Sequence, residues 1–456
     1  MSFLDRLLGP NIKPQGSHKP GLYHYLREID GERARVHLRI DPDECGILLV
    51  NASRVLHLNP TAAFMAHLAL DGTSESGAVN AITMRYHISH KQAKSDYRAF
   101  NLQLAELVRP DGACPIHELD LETTAPFSVR PSAPYRMDLA LTYRCNNDCA
   151  HCYNPRDAHR HLQSTTSELG TAEWKQILSQ LWQIGIPHIV FTGGEPTLRN
   201  DLPELIAYAQ TLGQVTGLNT NARRLSDPGY VQQLVDSGLD HVQITLESHD
   251  PNIHDQMVAS NGAWIQTIAG IRNTLATRLF VMTNTTLLTS NAPYLTLTLD
   301  FLAEIGVPTI GLNALIYSGR GANVGTGLPE NTLPSLLELA REKTQANGQR
   351  LIWYTPTQYC NFDPVLLELG VKGCTAALYN MCVEPDGSVL PCQSYYQPLG
   401  NLLADPWESI WNHELAIYIR ERRYIPDACT GCGLLPECGG GCPLILKNKN
   451  IKGSQK

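Results

Sequence analysis

Three cysteines on one short segment constrain this chain more than any other feature of its sequence. Residues 145–152 read CNNDCAHC, and they follow directly on an apolar run that begins at Met137. Thiolates at such close spacings, here Cys145, Cys149 and Cys152, bind the irons of an iron–sulfur cluster. The segment lacks a fourth cysteine, so the fourth iron of a four-iron cluster would stay open to a small chelating ligand. A structural zinc site, in contrast, is closed by four ligands.

The region around this segment alternates short apolar runs with amphipathic helical patterns. A helix is predicted at 171–184, where apolar residues recur at three- and four-residue steps until Gly185. Six βα units predict an α/β fold with a parallel sheet, and they are too few for a closed eight-stranded barrel. The active residues of such folds lie at the carboxyl ends of strands. The six predicted strands are 137–142, 188–191, 215–219, 241–246, 279–285 and 309–313.

Polar residues and glycines stand at the ends of these predicted strands. After the second strand come Gly193, Gly194, Glu195 and Pro196, and glycines permit a backbone to approach a ligand closely. Polar residues at later strand ends either meet a nucleoside ligand or cap the next helix. The candidates are Asn221, Thr245, Glu247, Asn284 and Asn313.

Two more residues of this segment, one before and one after Cys152, have side chains that could face a ligand. Tyr153 either offers a face to a base or packs at the rim of the barrel. His151 is expected to be a solvent-side spacer rather than a ligand.

The C-terminal region holds a second group of cysteines. Close spacings in a long intracellular chain indicate metal binding rather than disulfides, with a zinc ribbon as the alternative to iron. The sequence PDG at 385–387 predicts a hairpin turn whose first strand carries Cys382. Cys45 and Cys114 are expected to be ordinary core or loop residues. Eight of the 13 cysteines belong to this region: Cys360, Cys374, Cys382, Cys392, Cys429, Cys432, Cys438 and Cys442.

The N-terminal region predicts a separate small domain. Residues 33–40 alternate polar and apolar side chains and residues 46–50 are apolar, so both are predicted strands. Three helices should follow, the first capped by Asn59 and the others near 75–85 and 89–107. Strands followed by three helices are typical of a winged-helix-like unit. Residues 1–22 are predicted to be a flexible arm, and the proline-rich residues 109–134 a linker.

Charge and hydropathy argue against two classes of partner. The net charge of -8 at pH 7 gives no electrostatic case for binding nucleic acid. No apolar run approaches the roughly 18 residues that span a bilayer, and the first residues lack the features of a secretory signal. We therefore expect a cytoplasmic protein with neither nucleic-acid nor membrane partners.

The cysteine segment followed by Tyr153, together with the GGEP turn, resembles the radical S-adenosylmethionine (SAM) superfamily. The resemblance implies a partial (β/α)6 barrel over residues 135–325. It implies a [4Fe–4S] cluster on Cys145, Cys149 and Cys152 whose open iron binds SAM, with 193–196 contacting the SAM amino group. Ribose and carboxylate contacts would come from strands four and five. Reduced by a donor such as a flavodoxin or ferredoxin, such a cluster cleaves SAM to a radical that removes substrate hydrogen.

The C-terminal cysteines resemble the SPASM extension of radical SAM peptide maturases. Cys374, Gly387 and Cys392 fit the first part of its pattern, and the run from Cys429 to Cys442 fits the later part. The resemblance implies one or two auxiliary iron–sulfur clusters in residues 360–456, after a connecting helical segment at 326–359. One departure is that the last cysteine of the pattern, expected beyond Cys442, is missing.

This departure leaves the ligands of the two auxiliary clusters open. The resemblance assigns Cys442 to the first cluster with Cys374 and Cys392. It assigns the second cluster to Cys429, Cys432 and Cys438. Cys360 and Cys382 both remain candidates for a fourth ligand, and an open site is the other alternative.

Residues 23–108 resemble the PqqD-like domain, a recognition element of pathways that modify ribosomally made peptides. The matching stretch is LHLNPTAAFMAHLALDGTSESGAVNAITMRY at 56–86, followed by a helix with Asp96. Such domains bind a leader peptide as an added strand. The resemblances together imply a maturase that crosslinks a ribosomal peptide. The alternatives are maturation of a protein residue or of a tetrapyrrole or quinone cofactor, and a non-catalytic iron–sulfur peptide-binding or electron-transfer protein.

Overall fold

The computed structural model describes residues 19–29, 32–51, 54–108, 130–155 and 168–447. The contacts between residues divide the chain into two compact units, one of residues 1–133 and 180–187 and the other of residues 134–179 and 188–456. No helix in the described ranges is long and apolar enough to cross a membrane. The predicted arm up to residue 18, the linker at 109–129 and Cys114 lie outside the described residues.

The first unit contains an antiparallel sheet followed by three helices. Its strands in spatial order are β1 (Gly21–Ile29), β2 (Glu32–Ile40), β3 (Gly46–Val50) and β4 (Arg54–Leu58). Its helices are α1 (Pro60–Leu70), α2 (Glu75–Tyr86) and α3 (His90–Leu107). The three predicted helices and the strands β2 and β3 are confirmed. The sequence analysis missed β1 and β4, and β1 begins two residues inside the predicted arm.

Polar side chains fix where these helices begin. The side chain of Asn59 accepts a hydrogen bond from the amide of Ala62 at 2.8 Å, and Pro60 is the first helical residue. Ser74 and Ser89 cap α2 and α3 in the same way. Each cap satisfies a backbone N–H that no helical carbonyl can reach. The buried faces of the helices and of β2 and β3 then form one apolar core.

The second unit is built on a ten-stranded sheet whose larger part is parallel. The six predicted strands are confirmed, and a seventh parallel strand lies in the segment 326–359, where only helix was predicted. That strand has four residues, too short a run to be distinguished from a helix by its pattern. The seven strands are β5 (Arg136–Thr142), β6 (His188–Gly193), β7 (Val215–Thr220), β8 (His241–Thr245), β9 (Phe280–Leu287), β10 (Thr309–Ala314) and β11 (Arg350–Trp353).

Helices connect these strands, as a βα repeat requires. The α/β class of fold is thereby confirmed, and all seven strands end at one edge of the sheet because they are parallel. The helices are α4 (Thr171–Ile184), as predicted, α5 (Leu202–Leu212), α6 (Pro228–Asp236), α7 (Pro251–Val258), α8 (Ala263–Leu275), α9 (Leu295–Glu304) and α10 (Leu333–Ala346).

The C-terminal region extends the same sheet beyond β5. Strand β12 (Asn380–Val383) pairs with β5 in parallel, and β13 (Ser388–Leu390) and β14 (Gly400–Asn401) add to it antiparallel. The predicted PDG hairpin joins β12 to β13. The carboxyl end of β12 therefore lies beside the carboxyl end of β5. Three short helices follow, α11 (Trp407–Trp411), α12 (Glu414–Arg420) and α13 (Leu435–Cys438).

At the opposite, amino edge of the sheet two histidines meet across β7. The Nε2 atoms of His188 and His241 are 2.8 Å apart, within hydrogen-bond distance. Gly217 on β7 makes room for them, since a Cβ there would lie 2.1 Å from Cε1 of His241. Burial, and to a smaller extent the charge of Arg136, lowers the pKa of His241 to about 4. His241 is therefore neutral at physiological pH, and the two ring nitrogens share a hydrogen bond.

We expect this pair to make the stability of the protein depend on pH. The unfolded chain protonates His241 near pH 6.5 and the folded chain only near 4. The free energy of unfolding should thus be constant above pH 6.5 and fall by up to about 3 kcal/mol as the pH drops to 4. Denaturant titrations of wild type and His241→Asn measure this. The stability advantage of wild type should shrink as the pH falls, and a difference independent of pH would contradict the expectation.

Candidate active site

The three-cysteine loop leaves the carboxyl end of β5 and contains only turns and bends. Cys145 is exposed, whereas Cys149 and Cys152 are half-buried. The loop has few internal hydrogen bonds. The amide of Cys152 donates to the carbonyl of Cys149 at 3.3 Å, and the amide of Asn147 donates to Sγ of Cys145 at 3.4 Å. Its shape therefore depends on residues from other strand ends.

The glycine pair after β6 lies directly against the start of this loop. The amide of Gly194 donates to the carbonyl of Thr142 at 2.7 Å, and that of Glu195 donates to the carbonyl of Arg144 at 2.8 Å. A Cβ on Gly193 would lie 2.3 Å from the Thr142 oxygen, and one on Gly194 would lie 2.4 Å from the Arg144 oxygen. Any side chain at either position would collide with backbone, so this contact requires glycine.

Glu195 is a buried carboxylate that joins two strand ends. It is 1% exposed, and its Oε1 accepts bonds from the amide and hydroxyl of Thr197, at 3.1 and 2.6 Å, and from the hydroxyl of Thr220, at 2.7 Å. Its Oε2 accepts from the amide of Asn221 at 2.8 Å. Burial raises the pKa of Glu195 although these bonds oppose the shift. The ends of β6 and β7 are thus held together by one side chain, and the buried Pro196 begins the turn that follows.

Residues after β7 bind the cysteine loop from one side. The Nδ2 atom of Asn221 donates to Oδ1 of Asn146 at 2.6 Å and lies 4.0 Å from Sγ of Cys145. Arg223, which the sequence analysis missed, donates to the carbonyl of Asn146 and, at 2.9 Å, to Oδ1 of Asn147. Asn221 was predicted to meet a ligand or to cap the next helix. Its side-chain amide meets the loop that carries the thiols, and the ligand contact stays a prediction.

Glu247, after β8, binds the loop from another side. Its Oε1 is 3.0 Å from Nε2 of His151, and its Oε2 accepts from the amide of Thr286 at 3.0 Å. The side chains of His151 and Glu247 are 10% and 1% exposed. The prediction that His151 is a solvent-side spacer is therefore wrong. The residues next to His151 in the sequence do not indicate that its partner, Glu247, comes from a distant strand.

A third contact comes from residues 319–321, just beyond β10, which the sequence analysis did not single out. Arg320 donates to Oδ1 of Asp148 at 2.6 Å, and the amide of Gly321 donates to the carbonyl of Cys152 at 2.9 Å. A Cβ on Gly319 would lie 2.0 Å from the carbonyl oxygen of Tyr153. An arginine between two glycines at a strand end, SGRG at 318–321, is the signal that could have found this contact.

Two of the predicted ligand-binding residues are neighbours on adjacent strands. Thr245 on β8 pairs with Asn284 on β9. The Oδ1 atom of Asn284 is buried and accepts no hydrogen bond within the described part of the chain, and the same is true of Oδ1 of Asn313 on β10. Buried polar atoms are nearly always bonded. These two acceptors are therefore suited to a ligand that brings donors such as ribose hydroxyls.

The C-terminal hairpin contributes polar side chains to the same edge of the sheet. Tyr143 donates to a carboxylate oxygen of Glu384, which directly follows β12. Burial raises the pKa of Glu384 to about 7. The hydroxyl of Tyr396 donates to Oδ1 of Asn154 at 2.8 Å. These contacts fasten both ends of the cysteine loop to the hairpin, and no pattern in the sequence predicted them.

Tyr153, the residue after Cys152, also reaches toward the hairpin. Its hydroxyl is 3.5 Å from Oε1 of Gln393, which directly follows Cys392. Of the two alternatives for Tyr153, packing at the rim therefore has a contact in the structure. A face for adenine stays a prediction.

The C-terminal cysteines fall into two groups. Burial raises the pKa of Cys374, and the nearby thiols of Cys442 and Cys392 raise it further. Burial likewise raises the pKa of Cys429, whose neighbouring thiols are a different set. That set consists of Cys360, Cys438 and Cys432.

The donor sets have the chemistry of iron–sulfur ligands, because each of them consists of cysteine thiols. Among the described residues, no three His, Cys, Asp or Glu side chains are arranged around one metal ion. The twelve described cysteines are all free, and eleven of them lie in the three groups of thiols or beside them. In a four-iron cluster each cysteine binds a different iron. Separated thiols on short loops are the arrangement that such a cluster takes.

Comparison with known proteins decides the class. A model of the Radical SAM superfamily matches residues 139–302, and a model described as an iron–sulfur cluster-binding domain, SPASM, matches residues 374–433. The chain contains a radical SAM domain and a SPASM domain. Its cofactors are therefore a [4Fe–4S] cluster and SAM, with auxiliary iron–sulfur clusters in the SPASM domain. The predicted class and cofactors are confirmed.

Solved structures support the fold of this radical SAM enzyme over nearly its whole length. Streptococcus suis SuiB bound to precursor peptide SuiA superposes with a TM-score of 0.67 at 16% identity, covering 94% of this chain and 97% of that chain. SuiB bound to S-adenosylmethionine gives 0.65 at 17%, covering 93% and 97%. Native anSMEcpe with bound AdoMet gives 0.54 at 16%, covering 71% of this chain and 100% of that chain. The likeness to SuiB includes the N-terminal unit, because the 6% left out of the match is too short to hold it.

Replacing the buried carboxylate tests how strongly the enzyme depends on it. Glu195→Gln puts an amide N–H₂ where donors now point at oxygen, so at least one buried donor loses its acceptor. We expect the free energy of unfolding to fall by about 1–3 kcal/mol. Glu204→Gln, at an exposed site paired with Lys175, is the control and should change it by less than about 0.5 kcal/mol. Equal effects in the two denaturation curves would refute this role.

A second variant tests the loop itself. Arg223→Met removes bonds to two backbone or side-chain oxygens of the loop. We expect SAM binding to the cluster-loaded enzyme to weaken about tenfold to a hundredfold, as loss of one or two charge-assisted bonds implies. Isothermal titration calorimetry with SAM measures this. Arg272→Met, on the exposed side of α8, should leave binding unchanged; a weakening of the same size there would show that charge, not loop contact, is responsible.

Proposed function

We propose that this enzyme uses SAM to abstract hydrogen from a ribosomally made peptide and so forms a crosslink or related modification. The observation that carries the proposal is the meeting of a three-thiol loop with a glycine turn at the carboxyl edge of the sheet. Three thiolates leave one iron free to bind a chelating ligand. When bound, the cluster and SAM supply the 5'-deoxyadenosyl radical, which no amino-acid side chain can provide.

The residues of the chain would divide the work as follows. Cys145, Cys149 and Cys152 hold the cluster, and the backbone at Gly193 and Gly194 lies close enough to the loop to meet the SAM amino group. Buried acceptor atoms on β9 and β10, of Asn284 and Asn313, suit the ribose hydroxyls.

Other residues act through the loop or the strand ends. Thr245 lies beside Asn284, and Tyr153 borders the adenine region. Glu195, Asn221 and Glu247 position the loop and the strand ends through their bonds to neighbouring residues. We assign them this supporting role because both oxygens of each carboxylate are already bonded within the protein.

The N-terminal unit supports a peptide as the substrate. Its sheet ends in two edge strands, β1 and β4, and an extended peptide can add to such an edge by backbone hydrogen bonds. SuiB, whose likeness spans this unit, has been solved with its precursor peptide. The likeness to anSMEcpe spans only 71% of the chain. We propose that residues 23–108 bind the leader segment of the substrate while residues 135–325 and 360–456 act on its core segment.

The proposal also includes an electron donor and a cellular location. The clusters need an external one-electron donor, and a flavodoxin or ferredoxin supplies electrons of suitable potential. The many free thiols fit a reducing compartment, so we propose a cytoplasmic location. Maturation of a protein residue or of a small cofactor is the second candidate, because the likeness to anSMEcpe covers 100% of that chain and only 71% of this one, so a similar fold occurs in a shorter chain.

The deciding experiment uses a short precursor peptide encoded beside the gene. The cluster-loaded enzyme is incubated anaerobically with SAM, a strong reductant and the peptide, and the intact peptide mass and 5'-deoxyadenosine are measured. We expect a loss of about two hydrogens together with 5'-deoxyadenosine. Cys145→Ala/Cys149→Ala/Cys152→Ala should abolish both products. The same peptide without its leader segment should be modified at least about tenfold more slowly, because binding to the N-terminal unit is lost.

The outcomes separate the two candidate functions. If 5'-deoxyadenosine accumulates and the peptide mass stays the same, the peptide is not the substrate and the second candidate takes its place. If the triple variant still modifies the peptide, the proposed role of the three-thiol loop is wrong. If removing the leader has no effect on the rate, recognition by residues 23–108 is refuted while the chemistry stands.

A further inference from the structure

A thiol that the SPASM pattern does not include, that of Cys360, lies beside the C-x2-C-x5-C-x3-C run. Cys360 belongs to a turn between β11 and β12. The turn is anchored on both sides of the thiol, by Tyr359 at 5% exposure and Phe362 at 9%, and the amide of Asn361 donates to the carbonyl of Gln358 at 2.9 Å. The thiol of Cys360 itself is exposed. The chain thus presents one exposed thiol from an anchored turn.

This turn packs on the last part of the C-x2-C-x5-C-x3-C run. The amide of Tyr359 donates to Sγ of Cys438 at 3.3 Å, and the same sulfur lies 3.6 Å from the carbonyl oxygen of Thr357. Gly441 lets Gln358 come close, since a Cβ there would lie 2.7 Å from Cγ of Gln358. Three contacts from residues 357–359 therefore bring Cys360 beside the run.

The remaining unassigned thiol, Cys382, is placed differently. It is 0% exposed and packs with Ala140 and Leu390 in a small apolar cluster bordered by Tyr396. Of the other thiols it interacts with Cys392, a member of the first group. Cys429, in contrast, interacts with Cys360, Cys438 and Cys432. Cys360 and Cys382, the two cysteines that the pattern leaves unassigned, thus lie beside different groups of thiols.

We propose that Cys360 is the fourth protein ligand of the auxiliary cluster held by Cys429, Cys432 and Cys438. All four irons of that cluster then have protein ligands. A cluster closed in this way can pass electrons but has no iron left for a substrate atom. The cluster also links the turn before β12 to the C-x2-C-x5-C-x3-C run. Cluster binding therefore contributes to the folding of the SPASM region.

Chemical labelling of the wild-type enzyme tests the proposal without peptide or SAM. The cluster-loaded protein and the same protein stripped of iron are treated with iodoacetamide, and the labelled cysteines are found by peptide mass mapping. Ligation removes a thiolate from reaction. We expect Cys360 to react at least about tenfold more slowly in the loaded form, as should Cys432, which is also exposed in the structure. Cys45, in the other unit, should react equally in both forms.

Each other result of the labelling overturns the proposal. If Cys432 is protected and Cys360 is not, the cluster takes its fourth ligand elsewhere or stays open. If neither is protected, no cluster forms at this site. Since the assay needs no turnover, failure here leaves the proposed peptide chemistry untouched, and failure of that chemistry leaves this result standing.

A pair of variants adds a spectroscopic test. In the Cys145→Ala/Cys149→Ala/Cys152→Ala background only the auxiliary clusters remain. Adding Cys360→Ala should either remove about four irons per chain or leave a three-iron form visible in the electron paramagnetic resonance spectrum after oxidation. Adding Cys45→Ala should change neither. Full iron content with an unaltered spectrum in the Cys360 variant would overturn the proposal. If that variant fails to fold, the labelling of the wild-type protein still decides.

Discussion

The catalytic region depends on contacts that hold the three-cysteine loop in one shape, because the loop has few hydrogen bonds of its own. The three thiols must hold a fixed arrangement, yet the residues between them form only turns. Five different strand ends supply what the loop lacks: the glycine turn after β6, Asn221 and Arg223 after β7, Glu247 after β8, Arg320 after β10 and the hairpin after β12. A parallel sheet delivers all these ends to one edge. The fold thus holds the three thiols of a loop without helix or strand in one arrangement.

Buried carboxylates are the connectors in this arrangement. Glu195 and Glu247 are each 1% exposed, and burial of a charge is costly unless every oxygen is bonded. Both carboxylates meet that condition with donors from a neighbouring strand end or from the cysteine loop. A motif glutamate such as Glu195 is therefore placed to hold the turn in shape, because both of its oxygens are bonded within the protein.

The sequence predicted the regular parts of the molecule well and the contacts of the loop poorly. Periodicity identified β5 to β10 and the helix α4, because burial on one face imposes a local pattern. Strands β1 and β11 were missed, the first because it borders a region read as an arm and the second because four residues carry too little pattern. His151 was misjudged for a different reason. Its partner, Glu247, lies 96 positions away, and no local rule encodes a contact at that distance.

The pairing of β5 with β12 has a consequence for how the chain is made. Residue Arg136 lies opposite Asn380, so 380 − 136 = 244 positions separate the partners. On the ribosome β5 and the cysteine loop emerge first, and one edge of β5 stays unpaired until the SPASM hairpin follows. An unpaired strand edge invites pairing with other chains, and closing so long a loop slows folding. Nascent chains that stop short of residue 380 would therefore carry the thiol loop on an open edge, which makes the segment from residue 380 onward a determinant of solubility during synthesis.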